Sequence, residues 1–194
     1  MRTAQCLGRR AHGAKPLPAL LFFTDPQRTP DPVAIARRLP KGTGVVYRSF
    51  GLPDADQVAA DLRAVARQRG LTLLIGADEA LARRVGADGL HLPERMTGQA
   101  RRLKARNPGW ILTGAAHSGR AMRAGGLDAV VVSAIFPSRS ASAGKPMGPV
   151  RLAGLIRQAG TCPVYGLGGI TDKTARRMIP TGVVGLAGID GFRT

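Results

Sequence analysis

The residues of this chain best suited to chemistry are a histidine, an arginine and a pair of glycines, and each stands just after a short apolar run. His117, in the pair His117-Ser118, carries an imidazole that can take and return a proton near neutral pH. The alternative is that His117 caps the following helix together with Ser118. Arg48 follows Gly44 to Tyr47 and offers a planar fork suited to a carboxylate or phosphate, or else stands on a rim without a partner. Gly168-Gly169 follows Val164 to Leu167 and precedes Thr171-Asp172, where a helix is expected to open. Several backbone N–H groups can converge there on an anion. A Cβ would hold the anion off the backbone and would penalise positive φ, which is why glycine suits the turn. A merely tight strand-to-helix junction would also use Gly-Gly. Gly188 and Ile189, beyond the last apolar run, are expected to complete the phosphate site. Asp190 would repel an anion unless it points away or meets an arginine.

Other candidates are weaker. The stretch from Phe136 to Gly148 carries Ser138 and Lys145, which are expected to touch substrate if it is a mobile flap; a plain connector is the alternative. His91 lies inside an apolar run between Leu90 and Leu92, so it faces either the interior of a sheet or its covering layer, as a core histidine rather than a ligand. No pair of histidines, cysteines or carboxylates has metal-ligand spacing, so no metal site is expected.

The elements that must position these residues recur in a regular order. Apolar runs at Ala19 to Phe23, Gly44 to Tyr47, Thr72 to Ile75, Gly89 to Leu92, Ile111 to Gly114, Ala129 to Val132, Val164 to Leu167 and Val183 to Ala187 read as eight strands. Between them, helices are expected at Pro32 to Leu39, Asp54 to Gln68, Glu79 to Val85, Gly98 to Arg106, Gly119 to Ala124, Val150 to Ala159 and Asp172 to Ile179. Such a βαβα order implies an α/β fold with a parallel sheet, and eight strands in one small domain favour a closed TIM (β/α)8 barrel. Gly86-Ala87-Asp88-Gly89, Gly126-Leu127-Asp128-Ala129 and Gly182-Val183-Val184-Gly185 look like repeated turns on the face opposite the site. No ordinary outer helix is expected after the eighth strand. The flank this leaves should be covered by the N-terminal segment or by a second subunit, so a homodimer is expected.

Composition sets the limits. At 194 residues and 44% hydrophobic content, one globular domain over residues 19–194 is expected. Residues 1–18 carry Arg2, Arg9, Arg10 and Lys15 without hydrophobic period and read as a disordered or loosely attached basic leader. No apolar run approaches the roughly 20 residues that cross a bilayer, so no membrane role is expected. Cys6 and Cys162 read as free thiols of a cytoplasmic protein. The formal charge of +17 could suggest nucleic acid, but the arginines fall in pairs on expected helix faces. Aromatic content of 4% also leaves little to stack bases on. Nucleic-acid binding is therefore not expected, and the positive field favours small phosphorylated anions.

Taken together, Phe23-Thr24-Asp25, Arg48, Gly86 to Leu92, His117-Ser118, Ile135-Phe136-Pro137-Ser138 and Gly168-Gly169-Ile170 resemble the thiamine phosphate synthase and thiazole tautomerase (TenI-like) family of β/α barrels. The resemblance runs from Leu20 to Phe192. It implies a role in thiamine biosynthesis with a small phosphorylated thiazole as ligand. Synthases of this family join a pyrimidine diphosphate to a thiazole phosphate with Mg²⁺ held by two aspartates; the matching positions here are Ala77 and Met96, with Asp78 and Glu94 nearby. The pyrimidine-gripping Gln-x-Arg-x-Lys pattern reads Val46-Tyr47-Arg48-Ser49-Phe50 and keeps only the arginine. The tautomerase branch needs no metal, and His117 matches its acid/base histidine. The resemblance thus implies thiazole phosphate tautomerase-like proton transfer by His117, with Arg48 on the substrate carboxylate and no cofactor. The alternatives are a synthase, in which case Mg²⁺ would be required, or a barrel that binds thiazole or thiamine phosphate without chemistry. The branch's phosphate-binding serine stands here as Asp190.

Overall fold

The computed structural model describes residues 16–138, 144–158 and 160–192. The expected leader falls outside them up to residue 15, as does the centre of the expected flap, residues 139–143. Eight parallel strands close into a barrel in chain order: β1 Leu20–Phe23, β2 Gly44–Tyr47, β3 Thr72–Gly76, β4 Gly89–Leu92, β5 Ile111–Ala116, β6 Ala129–Val132, β7 Val164–Leu167 and β8 Gly185–Gly188. Helices α1 Pro32–Arg38, α2 Ala55–Arg69, α3 Glu79–Val85, α4 Ala100–Arg106, α5 Gly119–Met122, α6 Gly148–Gln158 and α7 Asp172–Ala175 connect them. This is the expected TIM-type barrel, and β8 is followed by a 3₁₀ turn, Asp190–Phe192, where other strands are followed by a helix.

The alternation of each strand sorts its side chains into two layers. Leu21, Phe23, Val46, Leu74, Val131 and Tyr165 fill the interior, while Phe22, Val45, Leu73, Leu90 and Leu112 pack under the helices. The bottom of the barrel is stoppered by the residues that precede β1. Leu17 packs on the interior cluster, and the Tyr165 hydroxyl donates to the Pro18 carbonyl at 2.6 Å. Phe192 sits edge-on to Phe22 at 5.5 Å between ring centroids, so the turn after β8 itself covers apolar surface on the β1–β8 flank.

The repeated turns have a common structural purpose. Asp88 accepts from the Leu73 N–H at 2.8 Å and pairs with Arg63 at 2.9 Å. Asp128 repeats this one strand pair on, accepting from the Leu112 N–H at 2.8 Å and pairing with Lys104 at 2.6 Å. Each carboxylate fastens the start of a preceding strand to a helix on the face away from the site. The third turn has Val184 at that place, and its N–H bonds the Val164 carbonyl directly.

Element bounds differ from expectation where local chemistry intervenes. The last strand begins at Gly185 rather than Val183, and Gly185, paired with Tyr165 of β7, lies so close to that ring that a Cβ would come within 2.5 Å of it. The seventh helix is α-helical for only four residues and continues as a 3₁₀ segment, Arg176–Thr181, in which Pro180 cannot donate back to the Arg176 carbonyl. The helix expected from Gly98 is preceded by a 3₁₀ segment, Glu94–Gln99, and α6 starts two residues early, at Gly148. β5 runs on to Ala116, which carries His117 to the strand's very end.

Candidate active site

At the carboxyl ends of the strands the barrel opens into a cavity of about 1010 Å³, large enough for a small phosphorylated ring. The structure brings together there most of the residues expected to act. Arg48, His117, Ser138, Gly168, Gly169, Gly188 and Ile189 all line it. Lys145 is exposed and is not among the residues lining it.

The glycine turn is built by close approach. Gly168 and Gly169 have φ of 100° and 63°, and a Cβ on Gly169 would lie 2.3 Å from the Pro137 carbonyl oxygen. Only glycine satisfies both conditions. The helix expected to reinforce this cup contributes less than its sequence promised. Helix α7 is one turn long, and its start is already capped by the Thr171 side chain, which accepts from the Thr174 N–H. Its dipole is therefore small, and what faces the cavity here is mainly the backbone at the β7 and β8 ends. Asp190, awkward beside an anion, meets Arg28: the guanidinium Nε donates to Oδ1 at 3.1 Å and Nη2 pairs with Oδ2. Arg28 also lines the cavity, so a cation accompanies that carboxylate.

Arg48 is fixed on the opposite wall. Its backbone N–H donates to the Thr24 hydroxyl at 2.9 Å, and Nε donates to the Thr24 carbonyl at 2.8 Å. Nη2 lies 3.6 Å from Asp25 and has no hydrogen-bond partner, while the rings of Phe23 and Phe50 flank the guanidinium at 5.6 and 5.1 Å. Burial lowers the pKa of the group, partly offset by Asp25. Phe50 holds a left-handed backbone (φ 49°) and is exposed, standing at the rim as an apolar residue where a diphosphate site would want a cation.

His117 does not cap helix α5. Ser118 does, its hydroxyl accepting from the Ala121 N–H at 3.3 Å, and the imidazole turns to Glu94 instead. Nδ1 of His117 lies 2.6 Å from Glu94 Oε2, which also accepts the His117 N–H at 2.9 Å. The Ser118 hydroxyl donates to Glu94 Oε1 at 2.9 Å. On the other side of the ring, Nε2 is 3.4 Å from the Ser133 hydroxyl. Burial pushes the Glu94 carboxyl up, but the bonds from His117 and Ser118 outweigh it and hold the carboxyl below its ordinary value.

His91 faces the interior, in the cavity wall. Its Nδ1 is 3.0 Å from the Thr113 hydroxyl and its ring is edge-on to Phe23. Burial, reinforced by the nearby Arg48 charge, drops its pKa to about 3, so it stays neutral at physiological pH. Glu94, Ser133, His91 and Arg28 were not singled out as site residues by sequence. The usable signal was position: Glu94, His117 and Ser133 follow three successive strands, β4, β5 and β6, which are neighbours in the barrel.

The carboxylates near the expected magnesium positions do not suit that ion. Asp78 Oδ1 accepts the Leu81 N–H at 2.8 Å as the cap of α3, and both Glu94 oxygens are engaged by His117 and Ser118. Among the described residues no three histidine, cysteine or acidic side chains gather where a metal ion could sit, and magnesium prefers several oxygen ligands. Among the described residues no helix is long and apolar enough to cross a membrane.

The family model described as thiamine monophosphate synthase matches residues 20–192. The chain is 31% identical over 184 residues to an Aquifex aeolicus protein provisionally named thiamine-phosphate synthase 2, covering 91% of this chain and 98% of the other. It is 30% identical over 158 residues to the thiamine-phosphate synthase of Listeria monocytogenes, covering 78% and 72%. Among solved structures, the thiamine phosphate pyrophosphorylase of Pyrococcus furiosus superposes with a TM-score of 0.75 at 22% identity, over 91% of each chain, a likeness of fold.

Proposed function

The chain belongs to the thiamine monophosphate synthase family, and from that premise we propose that its cavity binds a small thiazole phosphate and that His117 moves a proton on it, as in the tautomerase branch. The observation that carries this reading is the 2.6 Å contact between Nδ1 of His117, which lines the cavity, and Glu94 behind it. A histidine whose far nitrogen is fixed by a carboxylate presents the other as a base. The phosphate lies on the backbone of Gly168, Gly169, Gly188 and Ile189. Arg48, whose partly exposed side chain lines the cavity, meets the substrate carboxylate by a charge-assisted contact. His117 takes a proton from one ring atom, and the ring becomes aromatic when a proton returns at another. Ser138 closes one side of the site.

The test is conversion between thiazole phosphate tautomers followed by absorbance or NMR. Wild-type protein should accelerate it, and His117→Ala should lose at least a hundredfold in kcat, the usual yield of acid–base catalysis. Turnover by the variant at the wild-type rate removes His117 from the reaction.

A second reading is favoured by the relatives, which carry the name thiamine-phosphate synthase: transfer of a pyrimidine from its diphosphate to the thiazole phosphate. The names weigh for this transferase reading, whereas the side chains at Ala77, Met96 and Phe50 weigh for the isomerase reading. An assay with both substrates and Mg²⁺ decides it, since product formation at turnover rates establishes the second and its absence at high enzyme concentration removes it.

A further inference from the structure

Three side chains stand in line at the wall of the cavity. The Glu94 carboxylate is 2.6 Å from His117 Nδ1, and Nε2 of the same ring is 3.4 Å from the Ser133 hydroxyl. His117 and Ser133 both line the cavity, and Glu94 stands behind them, half-buried. Each member comes from the end of a different strand, so the line exists only once β4, β5 and β6 are side by side.

We propose that these three residues form a single proton relay, in which Glu94 is the positioning residue that holds His117 as the Nδ1–H tautomer and Ser133 is a further catalytic residue that delivers the proton to substrate. The relay rests on the proton-transfer reading. A carboxylate accepts only, so the 2.6 Å contact requires the hydrogen on Nδ1. Nε2 then carries the lone pair, directed at the cavity and at Ser133. A tautomerisation removes a proton at one atom and adds one at another, and a single nitrogen serves both atoms poorly. In the relay, the substrate C–H electrons stay on the ring as Nε2 takes the proton. The imidazolium, held by Glu94, then gives a proton to Ser133 Oγ while that hydroxyl gives its own to the second ring atom. The hydroxyl and the imidazole end as they began, with no oxidant, reductant or co-reactant. The Nε2–Oγ separation of 3.4 Å is long for a hydrogen bond at rest, as acid–base contacts commonly are before substrate binds.

A purely structural account is available for Glu94, since it also accepts from the His117 N–H and the Ser118 hydroxyl beside α5. The test must therefore read the ring itself. Long-range ¹⁵N–¹H NMR of the full chain at pH 8, with the His117 signals assigned by their loss in His117→Ala, should show Nδ1 protonated and Nε2 bare in the wild type. In Glu94→Ala the population should move toward the Nε2–H form that free histidine prefers. Glu94→Leu, which keeps the bulk and removes the acceptor, serves if the alanine variant fails to fold. Ser133→Ala should leave the tautomer and KM unchanged while kcat falls ten- to a hundredfold. Three outcomes overturn the relay with the proton-transfer reading intact: Nε2–H in the wild type, an unmoved tautomer in folded Glu94 variants, or full kcat in Ser133→Ala. Absence of wild-type tautomerase turnover, with the Nδ1–H form nonetheless observed, overturns both the reading and the relay.

Discussion

Replacing Gly169 by alanine tests the proposal that the Gly168-Gly169 turn holds the anion through its backbone. The new Cβ would lie 2.3 Å from the Pro137 carbonyl oxygen and 2.8 Å from Phe136 Cβ, at a φ of +63°. Reaching the 3.0 Å below which Cβ contacts are essentially never seen requires the β7 end and the connection after β6 to part by at least 0.7 Å. Both segments are otherwise held, since the Phe136 N–H bonds the Gly168 carbonyl at 3.0 Å. The opening must therefore strain that contact or displace the turn. Gly42→Ala is the control, because Gly42 has φ +81° and nothing within 4 Å of its Cβ position. The control pays only the left-handed backbone penalty, about 1 kcal/mol, which for a chain of this size is a loss of roughly 2–4 °C in Tm. Gly169→Ala should lose more than the control in a thermal melt and should weaken thiazole phosphate binding at least tenfold by calorimetry, while Gly42→Ala binds normally. Wild-type affinity in Gly169→Ala, with a Tm loss no greater than the control, would refute the assignment of the cup to this turn.

Other expectations follow from the same contacts. Arg28→Ala removes the cation that accompanies Asp190 in the cavity wall, so phosphate affinity should fall, and adding Asp190→Ser should recover it; calorimetry that finds Arg28→Ala unchanged rejects the electrostatic account. Asp128→Ala deletes a carboxylate that pairs Lys104 and accepts the Leu112 N–H; the orphaned donor should cost about 1–3 kcal/mol in denaturant melts without altering ligand affinity. His91 is held neutral in the folded chain, with a pKa of about 3 against an ordinary 6.5. Between those values the unfolded chain binds the extra proton, so this contribution to stability is full above about pH 6.5 and is lost as the pH falls toward 3. Melts across that window should show His91→Gln losing several kcal/mol less than the wild type on acidification; parallel curves would contradict it.

Much of the architecture was legible in the sequence because its signals are local. Eight short apolar runs alternating with amphipathic stretches admit few arrangements besides a closed parallel sheet, and the recurring Gly-x-x turns mark helix ends whatever surrounds them. Arg48, His117 and Gly168-Gly169 were identifiable because strand ends on the carboxyl side are where such a barrel keeps its site. Less of the boundary detail was local. The Tyr165 ring occupies the space beside Gly185, a contact that exists only once β7 and β8 pair.

What the sequence by itself determined is the set of elements, their order and the face on which chemistry can occur, since these depend on periodicity and on residues a few positions apart. What only the tertiary structure decided is which of those residues meet. Asp190 and Arg28 are 162 positions apart and join because β8 lies beside β1. Glu94 and His117, separated by 23 positions, meet because β5 carries its chain two residues beyond the expected strand end. Ser138 lines the cavity, whereas Lys145, seven positions on, is not among the lining residues. Barrel closure sets these distances, and no pattern along a single strand contains them.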